Sequence, residues 1–159
     1  MAEAKDIKLA KEVFAAVCQR LEEDEWSFKK DENKLEITCG AQGDDLPMDI
    51  NIQVDADRSL VLLLSPMPFT VPEDKRLDVV VAVSAINNIL ADGCFDFSIV
   101  SGRLFFRMTN SFCDSLIGKE VFAYMLYTAC ATIDKFNDKF FMLTKGMLSL
   151  ENFLSVIKD

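Results

Sequence analysis

The sequence predicts an α+β fold in which helices pack mainly on one face of an antiparallel sheet. Several segments place apolar residues three and four positions apart, as amphipathic helices do. Others alternate apolar and polar residues, as strands with one buried face do. Short polar stretches join successive strand segments, which favours antiparallel hairpins. The predicted order of elements is α-β(meander)-α-β-β-α-α.

The first predicted helix covers residues 5–21 and carries a continuous apolar stripe. It ends in an acidic cluster, residues 22–25, which we interpret as a solvated helix end. A hairpin is predicted next, because apolar residues alternate on both sides of a polar turn. These residues are Trp26 and Phe28 before the turn, and Leu35, Ile37 and Cys39 after it.

The clearest strand pattern lies in residues 48–54, where apolar and polar residues alternate without exception. The run 60–64 is apolar at almost every position, which predicts an interior strand or one covered on its second face. Solvation is the favoured explanation for the polar face of such a sheet, and binding of a cation or basic peptide is the alternative. The candidate polar sheet face comprises Asp49, Asn51, Gln53, Asp55, Asp96 and Arg107.

A second helix is predicted over residues 73–91. Pro72 suits a helix start, and the acidic residues that follow it suit the positive end of the helix dipole. Gly93 is predicted to end the helix as a left-handed cap. The predicted core stripe consists of Val79, Val83, Ile86 and Leu90.

Two adjacent amides lie near the end of this helix. Asn87 flanks the core stripe, and we expect it to satisfy unpaired backbone groups where the helix meets the following hairpin. Asn88 lies opposite the stripe, on a face that is too apolar to contact water alone. The candidate self-association face, packed on a second copy across a two-fold axis, comprises Leu77, Val81, Ser84 and Asn88.

The hairpin after Gly93 is predicted from a tight turn at Ser101 and Gly102. This turn aligns apolar residues on one face and Asp96 with Arg107 on the other. The predicted apolar pairs are Ile99 with Leu104, Phe97 with Phe106, and Phe95 with Met108.

Two helices complete the chain. An apolar stripe predicts a long third helix over residues 119–144, ended at Gly146. Ser149 is predicted to cap a short fourth helix, with Leu148 and Phe153 placed as a hydrophobic staple.

Composition narrows the function. Residues 1–159 are expected to form a single domain, and their net charge of −9 disfavours binding to nucleic acid or to a membrane surface. The start has no apolar core of signal-peptide length, so a cytoplasmic location is expected.

The 5 cysteines are never spaced as C-x-x-C, and we interpret them as small buried hydrophobic residues. Because the sequence has no histidine, catalytic triads that contain histidine, histidine general bases and histidine metal ligands are all excluded.

The chain resembles the YbjN-like family of bacterial sensory transduction regulators, whose fold is similar to that of type III secretion chaperones. The resemblance rests on the helix start Asp74, Lys75 and Arg76, on the segments INNILADGCF, SGRLFFR and DKFNDKFFMLTKG, and on element order from Lys5 to Gly146. It implies a dimeric, non-enzymatic protein-binding or regulatory module and supplies no catalytic residues.

The main functional hypothesis is therefore a cytoplasmic module that binds a protein or peptide segment and forms a homodimer through the second helix. Catalytic, cofactor-binding and metal-binding residues are predicted to be absent. The alternative is a carboxylate-dependent enzyme or divalent-metal binder that uses Asp49, Asp55 or Asp96. A purely structural subunit of a larger assembly remains a third hypothesis.

Overall fold

The chain folds as a six-stranded antiparallel sheet with helices on one face, in strand order β1-β2-β3-β4-β6-β5. A computed structural model describes residues 4–157, with side chains from residue 6 onward. It confirms the α+β class and the predicted order of elements. The helices are α1 (Ala4–Glu23), α2 (Arg76–Asn87), α3 (Lys119–Thr144) and α4 (Leu150–Val156). The strands are β1 (Phe28–Asp31), β2 (Glu36–Gln42), β3 (Pro47–Asp55), β4 (Leu60–Thr70), β5 (Cys94–Ser98) and β6 (Arg103–Ser111).

The core lies between the helices and the inner face of the sheet. Helix α1 contacts β3, and α3 contacts both β4 and β6. Phe95 of β5 is fully buried, with its ring 5.2 Å from that of Phe106 and 5.1 Å from that of Phe140. Aromatic side chains therefore join the sheet to the long helix. The predicted apolar stripe of α3 is confirmed, because each of its residues is buried: Phe122, Met125, Leu126, Ala129, Ile133, Phe136, Phe140 and Leu143.

Strand β4 is interior, as predicted, and pairs with β3 on one side and β6 on the other. It extends well beyond residue 64, through two prolines, to Thr70. Its pairing with β6 shifts between Pro66 and Thr70. Because proline cannot donate a backbone hydrogen bond, prolines in an interior strand are expected at such an irregularity.

The end of α1 is tied to the start of α3. Arg20 hydrogen bonds to Asp24, and this bond holds the pKa of the Asp24 carboxyl below its ordinary value. The Nζ atom of Lys119 lies 2.6 Å from an Oε atom of Glu23. The predicted solvated end is confirmed for Glu22, Glu23 and Glu25, which are exposed, whereas Asp24 is partly buried beside Arg20. Glu23 also joins α1 to α3 through Lys119.

Helix α2 is shorter than predicted. A 3₁₀ turn over Glu73–Lys75 leads into the helix, which ends at Asn87 and not near residue 91. Gly93 has the expected left-handed backbone, with φ of +72°, but it lies in the following loop. A Cβ atom there would lie 2.3 Å from the ring of Phe106, so the loop requires glycine because its backbone packs on that ring.

The buried side of α2 also differs slightly from the predicted stripe. Val79 and Ile86 are fully buried, as expected, and Ala82 lies beside them. Val83 and Leu90 are only partly buried, because Val83 lies at the edge of the buried side and Leu90 falls beyond the end of the helix.

The predicted register of the β5–β6 hairpin is wrong by two residues. A two-residue hairpin turn requires a positive φ at its first residue, and Ser101 does not have one. The loop instead spans residues 99–102, with Gly102 at φ +70°. A shift of two keeps every side chain on its predicted face. The observed pairs are Phe95 with Phe106, Asp96 with Phe105, and Phe97 with Leu104. The three predicted pairs do not form: Ile99 with Leu104, Phe97 with Phe106, and Phe95 with Met108.

The last two helices agree with their predictions. Helix α3 has the predicted bounds, and Gly146 follows it with φ of +70°. The Ser149 hydroxyl accepts a hydrogen bond from the Asn152 backbone amide at 3.2 Å, which confirms the predicted cap of α4. Phe153 is fully buried, as a staple residue should be. Across residues 4–157, no helix combines the length and the hydropathy that a membrane span requires.

Candidate protein-binding surfaces

The face of the sheet opposite the helices has a polar flank. Strand β3 places Asp49, Asn51 and Gln53 in exposed positions, with Asp55 partly exposed beyond them. On the other side of the same face, the Nε atom of Arg107 lies 2.5 Å from an Oδ atom of Asp96. This hydrogen bond raises the pKa of the Arg107 guanidinium. The residues of the candidate polar sheet face thus share one surface, although β4 separates those on β3 from Arg107 on β6 and Asp96 on β5.

The carboxylates that an enzyme or metal site would need are not brought together. Asp49 and Asp55 lie at opposite ends of β3, about 20 Å apart at the usual rise per strand residue. Asp96 lies on the edge strand β5 and is paired with Arg107. Asp55 accepts a hydrogen bond from the backbone of Arg58. Within residues 6–157, no group of three or more potential metal-binding side chains lies together. The arrangement does not favour the alternative function.

The centre of the open face is apolar, and no predicted site includes it. We call its residues the apolar strip: Leu62, Leu64 and Pro66 of β4 with Phe105 of β6. All are partly exposed and lie on the side of the sheet away from the helices. The run 60–64, apolar on both faces, was the signal for half of this strip. Phe105 joins it because β6 pairs with β4 and places Phe105 opposite Pro66.

The outer face of α2 is the second exposed apolar surface. Leu77 is 72% exposed and Val81 is 44% exposed, and Ser84 and Asn88 lie beside them in exposed positions. Val80, at 40%, widens the same surface toward β5. The structure therefore places all members of the candidate self-association face on one side of the helix, away from the core. Large apolar side chains gathered on a surface are typical of protein contacts.

Asn87 has the structural role predicted for it. Its Nδ2 atom donates to the backbone carbonyl of Phe95 at 2.9 Å, and its Oδ1 atom accepts from the backbone amide of Phe95 at 2.8 Å. The side-chain amide thus pairs with edge strand β5 as another strand would, and covers part of that edge. The adjacent amides therefore differ: Asn87 joins helix to hairpin, whereas Asn88 points away from this joint.

Three cysteines fit their predicted packing role, and two do not: Cys113 is exposed, and Cys94 is only partly buried and contacts Asp96 and Arg107 on the open face of the sheet. All 5 thiols are free. Burial raises the pKa of Cys39 and of Cys130 to about 11, which keeps both as neutral thiols near neutral pH. Cys18 is also buried, whereas Cys113 is exposed and does not act as a core residue.

Comparison with known proteins supports the fold. No family model matches the chain, and no curated protein matches it in sequence. Among solved structures, it is similar to one described as "Crystal structure of YbjN, a putative transcription regulator from E. coli". The match covers 79% of this chain and 92% of that one, with a TM-score of 0.57 and 16% sequence identity. The resemblance in fold is thus confirmed: the chain has a YbjN-like fold.

Proposed function

We propose that this protein is a non-enzymatic, cytoplasmic protein-binding module that forms a homodimer through the outer face of α2 and binds a protein segment on its open sheet face. The observation that carries this proposal is the exposure of Leu77 and Val81 on that helix. Two exposed apolar surfaces and widely separated carboxylates fit a binding protein better than a carboxylate enzyme. The similarity to a described regulator is consistent with this function, although fold alone does not specify it.

A two-fold dimer would bring the two copies of α2 face to face. Each Val81 would then contact the other copy, whereas in a monomer it would remain in water. Glutamate at this position is tolerated in a monomer because the position is exposed. In the dimer it would lose its hydration and meet a second glutamate, between chains that each carry a net charge of −9.

The test is light scattering coupled to size exclusion, on the wild type, Val81→Glu and a matched control, Ile7→Glu. Ile7 is also 44% exposed, but it lies on α1, which packs over β3 and away from the β5 end of the sheet. We expect the wild type and Ile7→Glu at twice 17.9 kDa, and Val81→Glu at 17.9 kDa with an unchanged circular dichroism spectrum. A monomeric wild type, or a Val81→Glu variant that stays dimeric, would refute self-association through α2.

A further inference from the structure

We propose that a depression at the end of the apolar strip binds an extended peptide that presents a large apolar side chain beside a carboxylate. This inference rests on the proposed function, since it names the chemistry of the bound segment. The depression has a volume of about 330 Å³, within the range of ~300–1,000 Å³ that ligand pockets occupy. Its lining consists of Asn51, Leu64, Pro66, Ser98, Ser101, Arg103 and Phe105.

The apolar part of the depression fits an apolar side chain. Leu64, Pro66 and Phe105 form its floor and wall, and they are partly exposed on the side of the sheet away from the helices. Covering them with an apolar side chain would remove this surface from water, which is the main favourable contribution to most protein association. A wholly polar or strongly charged segment would gain nothing from this part of the site.

The charge of the depression favours a carboxylate. Arg103 is exposed at its rim, and no carboxylate of residues 6–157 lies within ion-pair distance of its guanidinium. Arg107, four residues further along the same strand, is already neutralised by Asp96. Arg103 is therefore free to bind a carboxylate with two parallel hydrogen bonds, which is the geometry that guanidinium groups favour. A basic segment would be repelled at this position.

The rim of the depression is held in place before any peptide binds. The Gly102 amide donates to the Ser98 carbonyl at 2.7 Å, and the Val71 amide donates to the Gly102 carbonyl at 2.8 Å. The first bond closes the loop of the β5–β6 hairpin, and the second attaches it to the chain just after β4. A site whose walls are already ordered loses less conformational entropy on binding.

The experiment is a peptide titration followed by ¹H–¹⁵N NMR, with light scattering on the same samples. The probes are acetyl-Gly-Gly-Leu-Phe as the free acid, the same peptide as its carboxamide, and acetyl-tetraglycine as the free acid. We expect the free acid of the first peptide to shift the backbone amides of Leu64, Arg103 and Phe105 in a saturable way. The carboxamide and the tetraglycine should each bind about tenfold more weakly or worse.

The variants separate the charge from the rest of the site. Arg103→Gln should weaken binding of the free acid about tenfold and make the affinities of the free acid and the carboxamide equal. The control is Lys29→Gln, which removes an exposed cation from β1 at the other edge of the sheet and should leave affinity unchanged.

Equal binding of acid and carboxamide to the wild type, or no saturable shift, would overturn the proposal. Shifts at Leu64 and Phe105 that depend on protein concentration without peptide would instead assign the depression to a second copy and also overturn it. The light scattering reports self-association separately. Failure of the peptide site can therefore be distinguished from failure of the proposed homodimer.

Discussion

Replacing Asn87 tests whether its side chain fastens α2 to the sheet. Asn87→Ala removes the two partly buried hydrogen bonds to the backbone of Phe95. Each is worth about 1 kcal/mol net, so the loss is about 2 kcal/mol. Alanine at the last residue of the helix recovers about 0.5 kcal/mol of helix propensity. We therefore expect the free energy of unfolding to fall by about 1.5 kcal/mol.

The neighbouring amide provides the control. Asn88 is exposed and lies one residue beyond the helix. When all variants are compared in the Val81→Glu background, where the proposed dimer cannot contribute, Asn88→Ala should change the free energy of unfolding by less than about 0.5 kcal/mol. Asn87→Asp gives a third measurement, because a carboxylate accepts from the Phe95 amide but offers no donor to its carbonyl. At neutral pH this variant should be at least as unstable as Asn87→Ala.

The assay is urea unfolding at one fixed protein concentration, because dimerisation would make stability depend on concentration. Trp26, the single tryptophan, packs partly buried against the core and reports unfolding by fluorescence. A loss of about 1.5 kcal/mol also corresponds to a fall in Tm of roughly 3–6 °C for a chain of this size. If Asn87→Ala and Asn88→Ala have the same stability, the two hydrogen bonds of Asn87 do not stabilise the fold.

Two further predictions concern the loop after α2 and the thiols. Gly93→Ala places a Cβ atom 2.3 Å from the Phe106 ring at a residue with a left-handed φ. We therefore expect its Tm, measured by circular dichroism, to be lower than that of the wild type. An unchanged Tm would contradict the close approach of the loop to the ring. At pH 8 we expect a thiol reagent to modify Cys113 rapidly, because it is exposed, and to modify Cys39 and Cys130 only after unfolding, because their pKa values are about 11. Mass mapping of the labelled peptides gives the order of modification. Early labelling of Cys39 or Cys130 would contradict the prediction.

Local patterns predicted the elements well where one face is buried along the whole element. Helix α3 keeps its apolar stripe over its full length and is followed by a left-handed glycine, so both of its ends were predicted. The alternation in β3 likewise placed every side chain on the correct face. Such elements are predictable because the helical and strand periods directly record which side is buried.

The errors arise where the same local signal has two structural causes. A left-handed glycine can end a helix or allow a loop to pack closely on a ring, and Gly93 does the second. Ser101 and Gly102 resemble a two-residue turn, but only Gly102 has a positive φ, so the loop is longer. Neither distinction is visible in the local sequence, because each depends on backbone conformation and on contacts with a distant residue.

The candidate sheet site depends on strand order, which local patterns do not specify. The chain leaves β4 through α2, forms edge strand β5, and returns as β6 between β4 and β5. This return places Phe105 beside Pro66 and puts Arg103 at the rim of the same depression. If β5 had paired with β4 instead, the leucines of β4 would lie next to Asp96 and Cys94, and the surface would have no free cation from β6. The proposed specificity for an apolar side chain beside a carboxylate is therefore a consequence of the non-sequential pairing of β4 with β6.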